Sequence, residues 1–475
     1  MIPSGQGSTV VFGISGATWD IARPLLSKGR LPNLEYLMAR GASMTLASVR
    51  TSGDRHYRPQ VAWTSVATGC LPERHGVTAF YHTADDCRMP TVWQAFHDAG
   101  HRVGIFGWPI TWPPPQLNGF VVPDYHARDD TTWPPELAGI RRFDRAQFKA
   151  RRGEDATGEP GVGSREVAAL AWQLWRNGVR PRAIPALLGH VGEFLVSRDR
   201  QKRALAVRHA KLEISWALCE RLIRAYRPGL ATFHSFLVDV VSHRYWRYRD
   251  EAASGKMGRL AAAVDDAYIH TDRILGRLLR TVPEQSLIAV LSEHGMAGEP
   301  ISAELGDTQY LIRGKRVLDA LGLSEVLLPV PVARWVALRA VRGGVLPCGL
   351  MQRLRAITVV DTGLPLFSVY AHGAEEVVIK LSLSSDVPRY AQGGLDELRV
   401  VVGERCVPFL EITRKAGPVR SAMHNGDAMC VIAGPGIRPG TTQREGSILD
   451  VAPTLLAAAG IPPLPATDGR VLEIF

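Results

Sequence analysis

The stretch SLIAVLSEHGMAGEP, residues 286–300, constrains the fold more than any other part of the chain. Its aliphatic run predicts a fully buried strand, which stops abruptly at Glu293, His294 and Gly295. Open α/β sheets place their ligands at the carboxyl ends of such strands. An ordinary polar turn explains these residues equally well, so the interpretation depends on whether other strand ends carry similar chemistry.

Buried strands alternate with helices along the chain. Residues 9–14, 230–239 and 428–436 predict further strands, with the second ending near Asp239. Helices are expected at 32–41, 61–69, 258–281 and 447–460, and a basic helix at 332–344. This alternation predicts a mostly parallel sheet with helices on both faces.

The composition is typical of a globular protein, with 46 % hydrophobic and 21 % charged residues. The net charge of +10 suits an anionic small-molecule substrate, although a solvated basic surface explains it too. We find no nucleic-acid-binding motif, and the sequence leaves the oligomeric state open.

The six cysteines lack CxxC spacing, which excludes a zinc ribbon and provides no disulfide framework. We find neither a signal peptide nor an apolar segment long enough to span a membrane. These features together predict a cytoplasmic location.

Acidic and histidine side chains occur at or near three predicted strand ends. They are Asp239 with His243, Glu293 with His294, and His424 just before the last strand. Carboxylates and imidazoles are ligands that Zn²⁺ and similar ions take. A lone histidine is more often a satisfied core or surface group, but strand ends that meet at one edge of a sheet favour a joint site.

Several longer segments accompany these strand ends in a characteristic order: GATWDIARPLLSKGRLPNLEYLMARGA, AWTSVATGCLPERHGV, PITWPP, DVVSHRYW, SEHG, MHNGDAMCVIAGPGI, SILDVAPTLLAAAGIP and DGR. In order and spacing they resemble the type I phosphodiesterase/nucleotide pyrophosphatase branch of the alkaline phosphatase superfamily. The resemblance implies an α/β fold, an alkaline-phosphatase-like three-layer sandwich with a mostly parallel central sheet. It also implies a single domain over residues 1–475, with a helical insertion at 126–205 and a second, cap-like insertion at 301–423.

The family works with two metal ions, and the resemblance carries one ligand set over intact. Asp239, His243 and His424 match the ligands of that first metal. For the second metal, Glu293 and His294 stand where the family has an Asp-His pair. We therefore expect one bound Zn²⁺, with Mn²⁺ as the alternative, and a weakened second site.

Two other positions of the second site depart from the family pattern. Ser15 replaces the acid at the end of the first strand, and the nucleophile's place falls at about Arg58 or Pro59. Neither residue can attack phosphorus. Thr64 and Ser65 lie within a helix, where the family has structural residues, so we expect neither to be the nucleophile.

The expected activity is hydrolysis of a phosphoester or another anionic substrate by water activated at a metal ion. Arg58, together with His56, would occupy the nucleophile's place and clamp the anion. Ser15 and Asp54 complete the candidate substrate-binding residues, and Asp54 could instead replace the missing metal ligand. Two alternatives stay open: an inactive homologue that binds a ligand or partner, and a group-transfer enzyme of a specialised biosynthetic pathway.

Overall fold

The computed structural model describes residues 7–140, 189–298 and 308–475, apart from 55, 80–81, 125–126, 128, 191, 195, 254–257, 259, 333–334, 342–343, 373–375, 383–394, 396, 419–420 and 444–445. The described residues form two compact units. The first comprises the residues up to 140, residues 189–298 and Ser421–Phe475, and the second is the described part of Pro300–Arg420. Most of the insertion predicted at 126–205 lies outside the described residues.

An eight-stranded sheet forms the centre of the first unit. Its strands, in spatial order, are β19 (Thr441–Gln443), β2 (Gly41–Ala47), β18 (Asp427–Ala433), β6 (Leu287–Leu291), β1 (Thr9–Ile14), β5 (Leu230–Ser235), β3 (Val103–Phe106) and β4 (Gly119–Val122). Strand β18 runs antiparallel to both neighbours, and every other pair is parallel. The expected mostly parallel α/β sheet is therefore confirmed.

Both faces of this sheet are buried, which explains why its strands read as continuous apolar runs. Successive residues of β1 enter different cores: Val10 and Phe12 pack in one hydrophobic cluster, and Val11 packs in the other. Strand β6 divides in the same way, with Val290 in the first cluster and Leu291 in the second. Period-two alternation within an all-apolar strand thus supplies both cores.

The helices of the first unit account for most of the helical stretches expected from periodicity. They are α1 (Trp19–Ser27), α2 (Pro32–Arg40), α3 (Pro59–Thr68), α4 (Pro72–His75), α5 (Val92–Asp98), α6 (Arg200–Tyr226), α7 (Leu237–Ala253), α8 (Ala263–Leu279) and, near the C-terminus, α12 (Val451–Ala458). Helix α3 begins with Pro59 in its first turn and ends at Gly69, whose φ of 66° is left-handed. A proline start and a glycine stop of this kind delimit a helix from local sequence alone.

The expected strand end near Asp239 is wrong. Strand β5 ends at Ser235, and Asp239 lies in the first turn of α7, with His243 one turn further along. Residues four apart lie on the same face of a helix, so the DxxxH spacing aligns both side chains in one direction. The apolar residues that resembled a continuing strand are instead the buried stripe of this helix, including Val238 and Val241.

The second unit has its own strands and its own core. A four-stranded antiparallel sheet has the order β12 (Phe367–His372), β13 (Glu376–Leu381), β10 (Trp335–Ala340) and β9 (Leu327–Val332). Smaller sheets contain β11 (Thr358–Val359), β14 (Arg399–Val402) and β15 (Arg405–Pro408), and also β8 (Thr308–Ile312) with β16 (Thr413–Pro418). The helices are α9 (Gly314–Leu321), α10 (Leu350–Arg355) and α11 (Phe409–Ile412).

The basic helix expected at 332–344 is a strand instead. Strand β10 pairs with β9 on one side and with β13 on the other. Val336 and Leu338 are buried in the core of this unit, at the two-residue spacing of one strand face. Cross-strand pairing therefore overrides the helix that the sequence of this basic segment predicts.

None of the described helices combines the length and the apolar character that crossing a membrane requires.

Candidate functional site

The candidate site lies at the carboxyl edge of the first unit's sheet. Ser15 directly follows β1, Asp239 comes from the helix after β5, and Glu293 and His294 follow β6. His424 lies on β17 (Ala422–Asn425), which pairs antiparallel with β7 (Gly295–Gly298) and places His424 opposite Met296. These elements bring together residues that are far apart in the sequence.

Three histidine rings approach the Asp239 carboxylate. Nε2 of His424 lies 3.0 Å from Asp239 Oδ1, and Nε2 of His243 lies 3.5 Å from the same oxygen. The two Nε2 atoms are 2.8 Å apart. The His294 ring stacks on that of His424, with centroids 3.8 Å apart. Asp239, His294 and His424 each offer a ligand atom, and these atoms all lie within 4.8 Å of one another.

A backbone carbonyl lies next to the opposite nitrogen of each ring. Nδ1 of His243 is 2.7 Å from the Ala422 oxygen, and Nδ1 of His424 is 2.7 Å from the Tyr57 oxygen. Nδ1 of His294 is 3.0 Å from the Gly295 oxygen. Because a carbonyl only accepts hydrogen bonds, each Nδ1 carries a proton, so Nε2 is the ring nitrogen that can offer a lone pair to a metal ion. This pattern is how proteins orient histidines that bind a metal.

The inward-facing atoms therefore form an electron-rich cluster. His294 Nε2 is buried without a hydrogen bond and lies 3.1 Å from Glu293 Oε1. Lone pairs and carboxylate oxygens repel one another unless a proton or a cation lies among them. The residues present thus fit a divalent metal ion, and an imidazole-rich donor set with carboxylates suits Zn²⁺.

The charges of the cluster are reflected in its pKa values. Burial would raise the pKa of Asp239, but the His243, His424 and His294 rings outweigh it and hold this pKa well below its usual value. Burial would likewise lower the pKa of His294, yet the Glu293 carboxylate raises it. The cluster thus attracts positive charge.

Glu293 forms a closed arrangement with the end of β1. Its Oε1 accepts a hydrogen bond of 2.5 Å from the Ser15 hydroxyl, and its Oε2 accepts one of 3.3 Å from the Gly16 backbone N–H. Neither Ser15 nor Glu293 is exposed to solvent. Ser48 donates to the Glu293 backbone oxygen and fixes the turn. Ser15 therefore serves as a partner of Glu293 in this structure.

Asp54 and Arg58 are paired with each other beside this cluster. Arg58 Nε donates to Asp54 Oδ2 at 2.6 Å, and the backbone N–H of His56 donates to Asp54 Oδ1. Tyr57 lies in the same loop, and its carbonyl holds the His424 ring. The loop that carries the Asp54–Arg58 pair therefore contacts a histidine of the candidate metal site through the Tyr57 carbonyl.

The hydroxyl groups of Thr64 and Ser65, in α3, both take part in hydrogen bonds. Thr64 donates to the Gln60 carbonyl, and the Ser65 hydroxyl lies 2.9 Å from His75 Nε2. Both residues are buried within the helix.

Sequence reasoning missed two kinds of residue at this edge. The carbonyls that orient the rings leave no trace in side-chain chemistry. His234 was read only as part of a strand, but its Nδ1 meets the Gly107 carbonyl and its buried Nε2 has no hydrogen bond. Burial lowers the pKa of His234 to about 4, so this ring is neutral at pH 7. A polar residue inside the apolar run 230–235 was the signal that could have revealed it.

The family model described as type I phosphodiesterase/nucleotide pyrophosphatase matches residues 9–339. No curated protein matches the chain significantly. Among solved structures, human ectonucleotide pyrophosphatase/phosphodiesterase 5 is similar at 13 % identity and a TM-score of 0.46, over 98 % of this chain and 97 % of that one.

Phosphonoacetate hydrolase from Sinorhizobium meliloti 1021 is also similar, at 16 % identity and a TM-score of 0.42, over 96 % of both chains. The family match spans most of the sequence, including the central strands and the DxxxH helix. The protein belongs to the type I phosphodiesterase/nucleotide pyrophosphatase family of the alkaline phosphatase superfamily.

Proposed function

We propose that the protein is a metal-dependent hydrolase of a phosphoester or a similar anionic substrate, working by activated water rather than by a covalent intermediate. One observation carries the proposal: the carbonyl-held His243 and His424 rings direct Nε2 towards Asp239, and the carbonyl-held His294 ring directs Nε2 towards Glu293. We also propose that the protein is cytoplasmic, as expected from the sequence, and cell fractionation tests this location.

Asp239, His243 and His424 would hold the metal ion, with His294 as a further ligand. When bound, a Zn²⁺ ion polarises a phosphoryl oxygen and lowers the pKa of coordinated water to about 7. The carbonyls of Tyr57, Ala422 and Gly295 would keep the rings in orientation without rearrangement during the reaction.

Arg58 would bind the substrate anion. Its pairing with Asp54 fixes the direction of the guanidinium, and a fixed planar fork loses less conformational entropy on binding an oxyanion. The net charge of +10 further favours the approach of an anion. His56 belongs to the same loop and shares the proposed role in substrate binding.

The hydroxyl groups near the site support the absence of a covalent step. Ser15 donates to Glu293, while Thr64 and Ser65 are hydrogen-bonded inside α3. A nucleophilic hydroxyl needs a nearby base and access to the substrate. The solvent-excluded Ser15 and the helix-bound Thr64 and Ser65 lack that access.

The test combines metal analysis with turnover of a generic aryl phosphodiester. Compared with the wild type, Asp239→Ala and His424→Ala are expected to lose one equivalent of bound metal and about 100-fold or more of the turnover. His97→Ala, on α5, is the matched control and should retain both. Turnover that survives Asp239→Ala unchanged contradicts the proposal.

A second candidate function is ligand binding without catalysis. The observation that favours it is the closed Ser15–Glu293 pair, since it occupies a carboxylate that a second metal ion would need. In that case the wild type binds the metal and a phosphodiester analogue but shows no turnover, and Arg58→Ala weakens the binding of the analogue.

A further inference from the structure

A second histidine cluster lies in the first unit, on helices that carry none of the proposed active-site residues. His209 is on α6 and His270 is on α8, while His190 belongs to the described residues that precede α6. His209 and His270 are buried, and His190 is half-buried. Each offers a ring nitrogen, and these nitrogens all lie within 4.8 Å of one another.

The three rings of this cluster lie against one another. The His209 and His270 rings are nearly parallel, with an interplanar angle of 9° and centroids 4.9 Å apart. The His190 ring lies 5.4 Å from that of His209 and 5.2 Å from that of His270. Packing alone does not explain three imidazoles in mutual contact, since apolar side chains would fill the same space.

The outer partners of the cluster resemble those of a metal ligand. Nε2 of His270 lies 2.7 Å from Glu213 Oε1, and Arg277 donates to Glu213 Oε2. The Glu213 carboxylate can only accept a hydrogen bond, so His270 Nε2 carries a proton and Nδ1 is the nitrogen that can offer a lone pair. That lone pair faces His209 Nδ1 at 2.6 Å. A carboxylate behind the far nitrogen of a histidine both orients the ring and makes it a stronger ligand.

We propose that His190, His209 and His270 form a metal site, separate from the candidate active site, for Zn²⁺ or a chemically similar divalent ion. This site joins the segment of His190 to helices α6 and α8. Three imidazoles are a sufficient ligand set for Zn²⁺, with a fourth position left to solvent. Ligand nitrogens around tetrahedral Zn²⁺ lie about 3.3 Å apart, so His209 and His270 need to separate by less than an ångström.

The alternative is a hydrogen-bonded chain without a metal. In that arrangement His209 Nδ1 donates to His270 Nδ1, His270 Nε2 donates to Glu213, and Arg277 neutralises the carboxylate. This chain of hydrogen bonds provides a partner for each of these four side chains, but it gives His190 no role. The two arrangements differ in whether the protein binds a metal ion here.

The experiment uses the full-length chain with Asp239→Ala and His424→Ala, so that the proposed active site no longer contributes. Zn²⁺ alone is the probe, and bound zinc is measured after gel filtration. We expect about one equivalent to remain and to be lost when His209→Gln and His270→Gln are added. His97→Gln in the same background is the control and should keep the zinc. Because the readout is binding, it stands even if the protein proves to have no hydrolase activity.

Two milder variants keep the test decisive if the double substitution does not fold. His190→Ala removes the half-buried ligand, and Glu213→Gln weakens the partner of His270; each should lower zinc affinity about 10–100-fold. Visible absorption of bound Co²⁺ should show a tetrahedral spectrum that His190→Ala abolishes. Zinc absent from the background chain, or unaffected by all of these substitutions, overturns the proposal in favour of the hydrogen-bonded chain.

Discussion

At the scale of single residues, Ser15 and Glu293 form a pair at two positions where the resemblance leads us to expect departures from the family pattern. Ser15 stands where the resemblance places an acid, and Glu293 is one methylene longer than the aspartate of the family. The longer acid reaches the Ser15 hydroxyl and the Gly16 N–H. Two carboxylates at this separation would repel strongly, whereas a hydroxyl donates a hydrogen bond.

Removal of this hydroxyl tests the pair. We expect Ser15→Ala to lower the free energy of unfolding by about 1.5–3 kcal/mol, because a hydrogen bond to a buried charge is lost. Urea denaturation measures the difference. Ser27→Ala removes an exposed serine hydroxyl that bonds the Pro24 carbonyl and should cost about 0.5 kcal/mol or less. Equal losses in the two variants would show that the pair contributes nothing special.

His75 predicts a pH dependence of stability. Burial lowers the pKa of His75 in the folded protein to about 4, while an unfolded histidine titrates near 6.5. The unfolded chain therefore takes up a proton first, so stability is full above pH 6.5 and is lost as the pH falls towards 4.

The expected size of this effect is about 3 kcal/mol between pH 7 and pH 4. The variant His75→Gln should lose that much less stability than the wild type over the same range, measured by urea denaturation at each pH. His97→Gln should keep the wild-type dependence. A His75→Gln curve parallel to that of the wild type would refute the assignment to His75.

At the scale of elements, helix α2 begins without a cap from its own sequence. Its preceding residue, Leu31, provides no side-chain acceptor, and the N–H groups of Asn33 and Leu34 are bonded by the Asp272 carboxylate of α8. The Asn33 side chain donates to the same carboxylate at 2.7 Å. One buried acid thus caps a helix from a neighbouring helix more than two hundred residues away in the sequence.

Loss of this cap should be costly. We expect Asp272→Ala to lower the free energy of unfolding by about 2–3 kcal/mol, because three donors of α2 lose their acceptor. Asp98→Ala, at the exposed end of α5, serves as the control and should change it by about 0.5 kcal/mol or less. Thermal and urea denaturation measure both, and a cost for Asp272→Ala as small as the control's would contradict the role of the cap.

At the scale of the whole molecule, each unit has a hydrophobic core of its own. Units with separate cores are able to unfold as separate cooperative transitions. All residues proposed to bind metal lie in the first unit. Metal binding should therefore stabilise that unit and leave the other unchanged.

Calorimetry tests this expectation. We expect two unfolding transitions, and a chelator should lower the midpoint temperature only of the transition that belongs to the first unit. Leu338→Ala, in the core of the second unit, should lower the free energy of unfolding only of that unit, by about 2–5 kcal/mol. A single transition that responds to both changes would contradict separate unfolding.

The α/β architecture and the edge of the sheet at which the candidate residues lie were both predictable from the amino-acid sequence. Apolar runs such as residues 9–14 and 287–291 predict buried strands without other information, since a strand buried on both faces has to be apolar throughout. The DxxxH spacing and the histidines at 294 and 424 likewise indicated a candidate metal site, because the types of possible ligand are visible in the sequence.

What surrounds those residues could not be predicted from the amino-acid sequence. The helical position of Asp239, the strand at 335–340, the carbonyls behind the three histidines and the Ser15–Glu293 pair all depend on contacts between distant segments. His209 and Glu213 are four apart on one helix, yet their meeting with His270 follows from the packing of α6 and α8. Local sequence specifies which chemical groups are available, whereas burial and long-range packing specify which of them meet.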